Sequence, residues 1–328
     1  MSEKVRLASL GLGWWGSLLA DGADRSGVAE IVTCYARRPE GREDFSRPRQ
    51  CRTSDSVEAL LADPEVEGVI IATAHDSHRE LVEMAAAAGK HIFVEKPLAN
   101  TVADARACIE ATETAGVLLQ VGHQRRRQEA NRRIKEMIAS GELGEIQTVT
   151  SHQSMPYGFS MAADAWRWDA SQSPLGSMTS LGVHLIDTMQ YLVGPVVKVM
   201  TLSRPGRERT VDEATIMGFE FESGALATLA TSFFTPSINE VAVFGTEGAA
   251  YNQRDGSMLS FQGRNDDRPT QIPVEPVDLV ADQLREFALA IRGGATVEVG
   301  GAEGLAVVAV MEAAIEAAAS GRTVDVAR

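Results

Sequence analysis

Cysteine is scarce in this chain. Three occur in 328 residues, Cys34, Cys51 and Cys108, an odd number set far apart with no Cys-x-x-Cys pair. That excludes a cysteine zinc cluster and suits a reducing cytoplasm. Basic residues are also in deficit: 31 Lys and Arg stand against 45 Asp and Glu, a formal net charge of −14. A chain that works on nucleic acid or an anionic membrane needs a concentrated basic surface, so neither is an expected partner. Long apolar runs are missing too. The most apolar late stretch, "GLAVVAVMEAAIEAAAS", is broken by Glu312 and Glu316 at helical spacing, and the opening "MSEKVRL" has no apolar core. No membrane span and no secretion signal are expected. The partners that remain are small molecules and further copies of the chain.

The length allows two domains, since one domain usually takes about 100–200 residues. In the first part, short apolar runs alternate with amphipathic segments. "VRLASL" (5–10), "EIVTCYA" (30–36), "GVIIAT" (68–73), "HIFVE" (91–95) and "VLLQVG" (117–122) read as strands, with helix-like segments between them. Such alternation predicts an α/β domain, a parallel sheet covered on both faces. After the predicted helix and Gly turn of 131–146 the character changes. One helix-like segment, "SMTSLGVHLIDTMQYLVG" (177–194), precedes "VVKVMTL", "EATIMGFEF", "GALATLATSFF", "EVAVFGT" and "GAAYN". Strands joined by turn signals predict a large open antiparallel sheet, and its exposed face predicts self-association. Two helical segments, 278–292 and 302–319, close the chain. The expected division is 1–122 and 123–328, with a crossover at about 123–145.

Four motifs carry chemistry. "GLGWWG" follows a predicted strand and opens a predicted helix: Gly11 allows the tight turn, Gly13 lets a pyrophosphate approach the backbone, and Gly16 lets the helix pack on the strand. At the tip of the second strand, "CYARRPEGR" has no acid to accept a ribose 2′-hydroxyl and has instead Arg37 and Arg38. Guanidinium groups match a 2′-phosphate, so NADP is the expected cofactor, with NAD as the alternative. Glu95-Lys96-Pro97 lies at the carboxyl end of a parallel strand, the edge where ligands bind in such sheets. A lysine there can hold a substrate oxygen, and Pro97 can fix the backbone through a cis bond. In "SMTSLGVHLID", helical spacing sets Ser180, His184 and Asp187 on one face, presenting a general acid/base with its supporting groups.

Together these stretches resemble the glucose-fructose oxidoreductase / inositol dehydrogenase (Gfo/Idh/MocA) family. The resemblance spans nearly the whole chain, taking in "ATAHDSH" (72–78), "GHQRRR" (122–127), "IKEMIASGELGEI" (134–146) and "WRWD" (166–169) as well. It implies a Rossmann domain, then an α/β domain whose open sheet builds dimers or tetramers. It also implies hydride transfer between a nicotinamide cofactor and a sugar, polyol or related alcohol. In that frame Lys96 is the catalytic lysine, set against cofactor and substrate, and His184 the proton-transfer histidine; no metal is needed. Thr73 and His78 lie along the cofactor, Glu95 near the nicotinamide ribose, and Trp166 and Arg167 on a loop closing over the nicotinamide side. Ser180 and Asp187 serve as substrate contacts. One of Trp14 and Trp15 is expected to line the substrate cleft while the other packs; two packing indoles are the alternative. Family dehydrogenases commonly have Asp where this chain has Ser180, and Thr-Pro where it has Thr73-Ala74. The serine leaves two further readings open: a dehydrogenase of a cyclic dihydrodiol, hemiacetal or semialdehyde, and a non-catalytic cofactor-binding sensor.

Overall fold

A strand buried on both faces must be apolar at consecutive positions, and that is how the first unit is built. The computed structural model describes residues 3–206 and 211–327. Its first elements are β1 (Val5–Leu10), α1 (Trp14–Ser26), β2 (Ala29–Tyr35), α2 (Pro39–Arg49), β3 (Arg52–Thr53), α3 (Val57–Leu61), β4 (Gly68–Ile71), α4 (His78–Ala87), β5 (His91–Val94), α5 (Val102–Ala115) and β6 (Leu119–Val121). All six strands are parallel, in the order β3-β2-β1-β4-β5-β6. Val69, Ile70, Ile71, Ile92, Phe93 and Val94 are fully buried at the centre. Burying one such side chain stabilises the fold by about 1.5–3 kcal/mol. The doubly wound sheet expected from the sequence is therefore present.

The second group of elements is α6 (Glu129–Ala139), β7 (Ile146–Ser154), α7 (Val183–Val193), β8 (Val196–Arg204), β9 (Ala214–Phe221), β10 (Leu226–Ser232), β11 (Ile238–Gly245), β12 (Gly248–Gln253), β13 (Met258–Gly263) and β14 (Thr270–Ile272). There follow α8 (Leu279–Ile291), α9 (Gly301–Ser320) and β15 (Val324–Asp325). The nine-stranded sheet runs β14-β13-β12-β11-β7-β10-β9-β8-β15. It is mixed rather than wholly antiparallel, because β7 and β10 pair in parallel. On β8, buried Val199 and Thr201 alternate with exposed Met200 and Leu202. One face thus carries the core and the other is left uncovered.

By contact, the first unit comprises the residues up to Gln124 together with Asp278–Val308; the second is Arg125–Val277 with the residues from Ala309 on. Helix α8, which the sequence reading gave to the second domain, thus belongs to the first unit. Its Val280 packs against Gly22 of α1, Phe287 meets Phe93 at 6.0 Å, and its cap Asp278 pairs with Arg25 at 2.7 Å. Among the described residues no helix is long and apolar enough to cross a membrane.

Candidate active site

The glycine turn is dictated by close approach. Gly11 has φ 91, and a Cβ on it would overlap the Ala72 carbonyl; a Cβ on Gly16 would overlap the Gly11 carbonyl. Only glycine lets β1, β4 and α1 meet this tightly. Gly13 caps α1 with no side-chain hydrogen bond, and the first helical turn contains no acid. Unspent N–H groups and the positive end of the helix dipole therefore converge there, the environment a diphosphate requires. Beyond β2, Arg37 and Arg38 are exposed, while Arg42 is tied down by a 2.5 Å bond from Nε to the Ala36 carbonyl and by stacking on Tyr35. Uncapped helix and glycine cradle together fit a nicotinamide dinucleotide.

Trp14 and Trp15 part company. Trp14 is 71% exposed, whereas Trp15 packs on the apolar core that holds Leu19, Phe93 and Phe287. The rings stay 5.6 Å apart. Trp15 also lies by Glu95, which is only 5% exposed; a Cβ on Gly122 would press on its Oε1. Burial pushes the Glu95 carboxyl up to about 7, against the pull of the adjacent Lys96 cation and the Trp15 indole N–H. Lys96 itself is half-buried at the carboxyl end of β5, and the Lys96–Pro97 bond is cis.

His78 departs from its expected place along the cofactor. It is fully buried, and its Nδ1–H donates to the Pro97 carbonyl at 2.9 Å. Burial depresses its pKa and keeps the ring neutral. A side chain without exposed surface cannot line a ligand, so His78 is a strut that fixes the Lys96–Pro97 turn. Thr73 is half-exposed where β4 meets the glycine turn, with its hydroxyl 2.7 Å from that of Ser77.

In the second unit the segment before α7 is not a simple α-helix. Met178–Gly182 forms a π-helical turn, and α7 continues from Val183. Such turns insert a residue into the helical repeat and are frequent at functional sites. Ser180 lies in this turn and His184 one residue into α7; each retains a small exposed surface, 8% and 7%. Asp187 does not join them as a substrate contact. It is completely buried, and Arg126 grips it through Nε and Nη2 at 2.9 and 2.7 Å. A carboxylate engaged on both oxygens has no face left for a ligand, so Asp187 is a structural anion. Sequence reasoning missed Arg126 as its partner, because the two lie 61 positions apart.

Trp166–Trp168 is a 3₁₀ turn. Trp168 is buried against Leu181, Val211 and Phe233 and donates from Nε1 to the Ala162 carbonyl at 2.9 Å. It fastens this turn beside the π turn. The Arg167 guanidinium lies over the Trp166 ring at 4.3 Å, and burial lowers its pKa. No group of His, Cys, Asp and Glu suited to hold a metal occurs among the described residues.

Known proteins share the chain's two-part architecture. Residues 5–123 match the oxidoreductase family model with an NAD-binding Rossmann fold, and 131–251 match the GFO/IDH/MocA C-terminal domain. The chain is similar to a 1,5-anhydro-D-fructose reductase of Ensifer adhaerens, 28% identical over 93% of each protein. It is also similar to D-xylose 1-dehydrogenase (NADP(+)) 2 of Haloferax volcanii, 30% identical over 82% of this chain and 83% of that one. An oxidoreductase structure from Desulfitobacterium hafniense superposes with a TM-score of 0.94 at 32% identity, covering 99% of both chains. The chain therefore belongs to the Gfo/Idh/MocA family of NAD(P)-dependent oxidoreductases.

Proposed function

We infer that this enzyme is an NADP-dependent oxidoreductase that moves a hydride between nicotinamide and a hydroxyl-bearing carbon of a sugar, cyclitol or related alcohol. The observation that carries the reading is a lysine at the carboxyl end of a central parallel strand, the edge where ligands bind in such sheets, held there by the buried His78. When bound, the dinucleotide supplies a nicotinamide ring that accepts or donates the hydride. Gly11, Gly13, Gly16 and the start of α1 hold its diphosphate, Arg37 and Arg38 its 2′-phosphate, and Thr73 and Glu95 flank it. The Lys96 ammonium holds the substrate oxygen and stabilises the negative charge that develops there as hydride leaves the carbon. His184 takes the hydroxyl proton and passes it to solvent, while Ser180 holds a neighbouring hydroxyl. Trp166 supplies an aromatic wall suited to the apolar face of a ring.

The working unit is a homodimer or homotetramer in the cytoplasm. Support for self-association comes from the exposed Met200, Leu202, Ile216 and Leu226, each more than half accessible, on the neighbouring strands β8, β9 and β10. The free thiols support a reducing compartment. A panel of sugars, cyclitols and aromatic dihydrodiols, followed by absorbance of the reduced cofactor with NADP and with NAD, tests the reading. Turnover on sugars or cyclitols with a larger specificity constant for NADP is expected. Tight cofactor binding with no turnover on any alcohol would reject it.

A further inference from the structure

Ser180 and His184 are carried by a turn that departs from the α-helical hydrogen-bond ladder, so contacts from outside the helix fix where they point. Two neighbouring strands supply those contacts. The Ser177 hydroxyl, just before the turn, lies 2.9 Å from that of Thr231 on β10, and a Cβ on Gly182 would stand 3.0 Å from the Thr231 methyl. The register partner of Thr231 on β7 is Gln153. Gln153 is only 2% exposed, an amide on the inner face of a strand, where burial is unfavourable unless both of its ends are hydrogen-bonded. One orientation of the amide satisfies both: its NH2 group donates to the Leu181 carbonyl, inside the π turn, at 2.9 Å, and its oxygen accepts from Arg125 Nη2 at 3.2 Å. Arg125 is itself fixed. Its Nη1 donates to Asp255, whose carboxylate also accepts from Asn239 Nδ2 at 2.8 Å and Gln128 Nε2 at 2.9 Å. Asp255 sits in a tight turn, with φ 51 at Arg254, 57 at Asp255 and 87 at Gly256. Within the second unit, a chain of hydrogen bonds thus runs from that turn through Arg125 and Gln153 to the backbone between Ser180 and His184. Packing alone does not account for it, because an apolar side chain would fill the place of Gln153 without the cost of burying an amide.

We propose that Gln153, oriented by Arg125, is a positioning residue of the reaction: it holds the Leu181 carbonyl and thereby sets Ser180 and His184 for the substrate hydroxyls. The proposal rests on the oxidoreductase reading above and deepens it. The guanidinium fixes the amide oxygen, and the fixed oxygen leaves the amide hydrogens aimed at Leu181. Gln153 takes no proton in the reaction and acts only through the backbone of the turn.

The test uses the full-length enzyme with NADP and the best alcohol found, and compares Gln153→Leu, Gln153→Glu and Arg125→Met with wild type. Gln153→Glu keeps an acceptor for Arg125 but has, as a carboxylate, no hydrogen to donate to Leu181, so it separates the two contacts. Both substitutions at 153 should lower kcat by about tenfold or more, because small displacements of reacting groups are costly. The KM for NADP should stay at its wild-type value. Arg125→Met leaves the amide in place without its guide and should give a smaller loss of the same kind; it decides the matter if neither Gln153 variant folds. In enzyme carrying isotope-labelled histidine, the His184 ring resonances, identified by their loss in His184→Gln, should move in all three variants. Wild-type kcat or unmoved His184 resonances in folded Gln153→Glu would overturn the proposal, since an amide that only stabilises the fold predicts that pattern. A raised KM for NADP with unchanged kcat would overturn it as well. If wild type turns over no alcohol, the oxidoreductase reading falls and the resonances alone decide: movement in Gln153→Glu upholds the positioning contact, and fixed resonances overturn it.

Discussion

Removing the carboxylate of Asp187 should destabilise the second unit severely, and the size of the loss follows from its burial. Asp187 has no exposed surface, the Arg126 side chain is 9% exposed, and two nitrogens of the guanidinium lie 2.7–3.0 Å from the carboxylate oxygens. Asp187→Leu leaves the Arg126 cation buried without its anion, a change that costs about 3–5 kcal/mol. That is a large part of the 5–15 kcal/mol by which proteins are typically stable. Arg126→Met should cost a comparable amount. The double variant Arg126→Met/Asp187→Leu removes both charges and should recover most of the loss, since replacing a buried pair with apolar groups is often neutral. Urea unfolding of the four proteins of this cycle, followed by circular dichroism, gives the coupling directly. A substrate contact would behave differently, with normal stability and a raised KM. If Asp187→Leu costs less than about 1 kcal/mol and the double variant shows no recovery, the structural role is refuted.

Three further outcomes follow from other parts of the molecule. Arg37→Ala/Arg38→Ala should lower kcat/KM for NADP by about tenfold or more while changing that for NAD little, because a lost charged hydrogen bond is worth about 1.5–3 kcal/mol; equal losses with both cofactors would refute the 2′-phosphate assignment. Glu95 is raised from the ordinary carboxylate value of 4.5 to about 7, so the folded state binds more protons than the unfolded one between these limits. Its contribution to stability is therefore greatest below about pH 4.5 and declines as pH rises to about 7. Thermal unfolding of Glu95→Gln across that window should show a flatter profile than wild type, and an unchanged profile would contradict the assignment. On the sheet, Leu202→Glu places a charge in the exposed apolar face and, if the proposed self-association uses this face, should lower the mass towards that of a monomer by light scattering; an unshifted mass would contradict an interface on this face.

The first sheet was legible because each of its central strands is a short apolar run between helical segments, and the glycine turn because it stands between a strand and a helix. Other elements left weaker marks. Strand β7, "IQTVTSHQS", is polar at most positions, since its inner face holds Ser151 and Gln153 and its neighbours supply the apolar surface. Helix α2 has a single large apolar residue, Phe45, and so shows no helical periodicity. Sequence spacing set Ser180, His184 and Asp187 on one face, but the π turn interrupts the helix they were placed on. His78 and Asp187 are polar residues whose motifs pointed to ligands. Their partners, the Pro97 carbonyl and Arg126, lie 19 and 61 positions away, and spacing carries no information about such pairings. Trp14 and Trp15 are adjacent in the chain, yet helical geometry turns one outward and the other onto the core beside Glu95.

The central claim is that Lys96 holds the reacting oxygen. Lys96→Ala should be measured for turnover on the best alcohol found and for the Kd of NADP, side by side with wild type. Loss of a preorganised charge at the developing oxyanion predicts turnover lower by about a thousandfold, with cofactor affinity held within about tenfold. Near-normal turnover in Lys96→Ala would contradict the account.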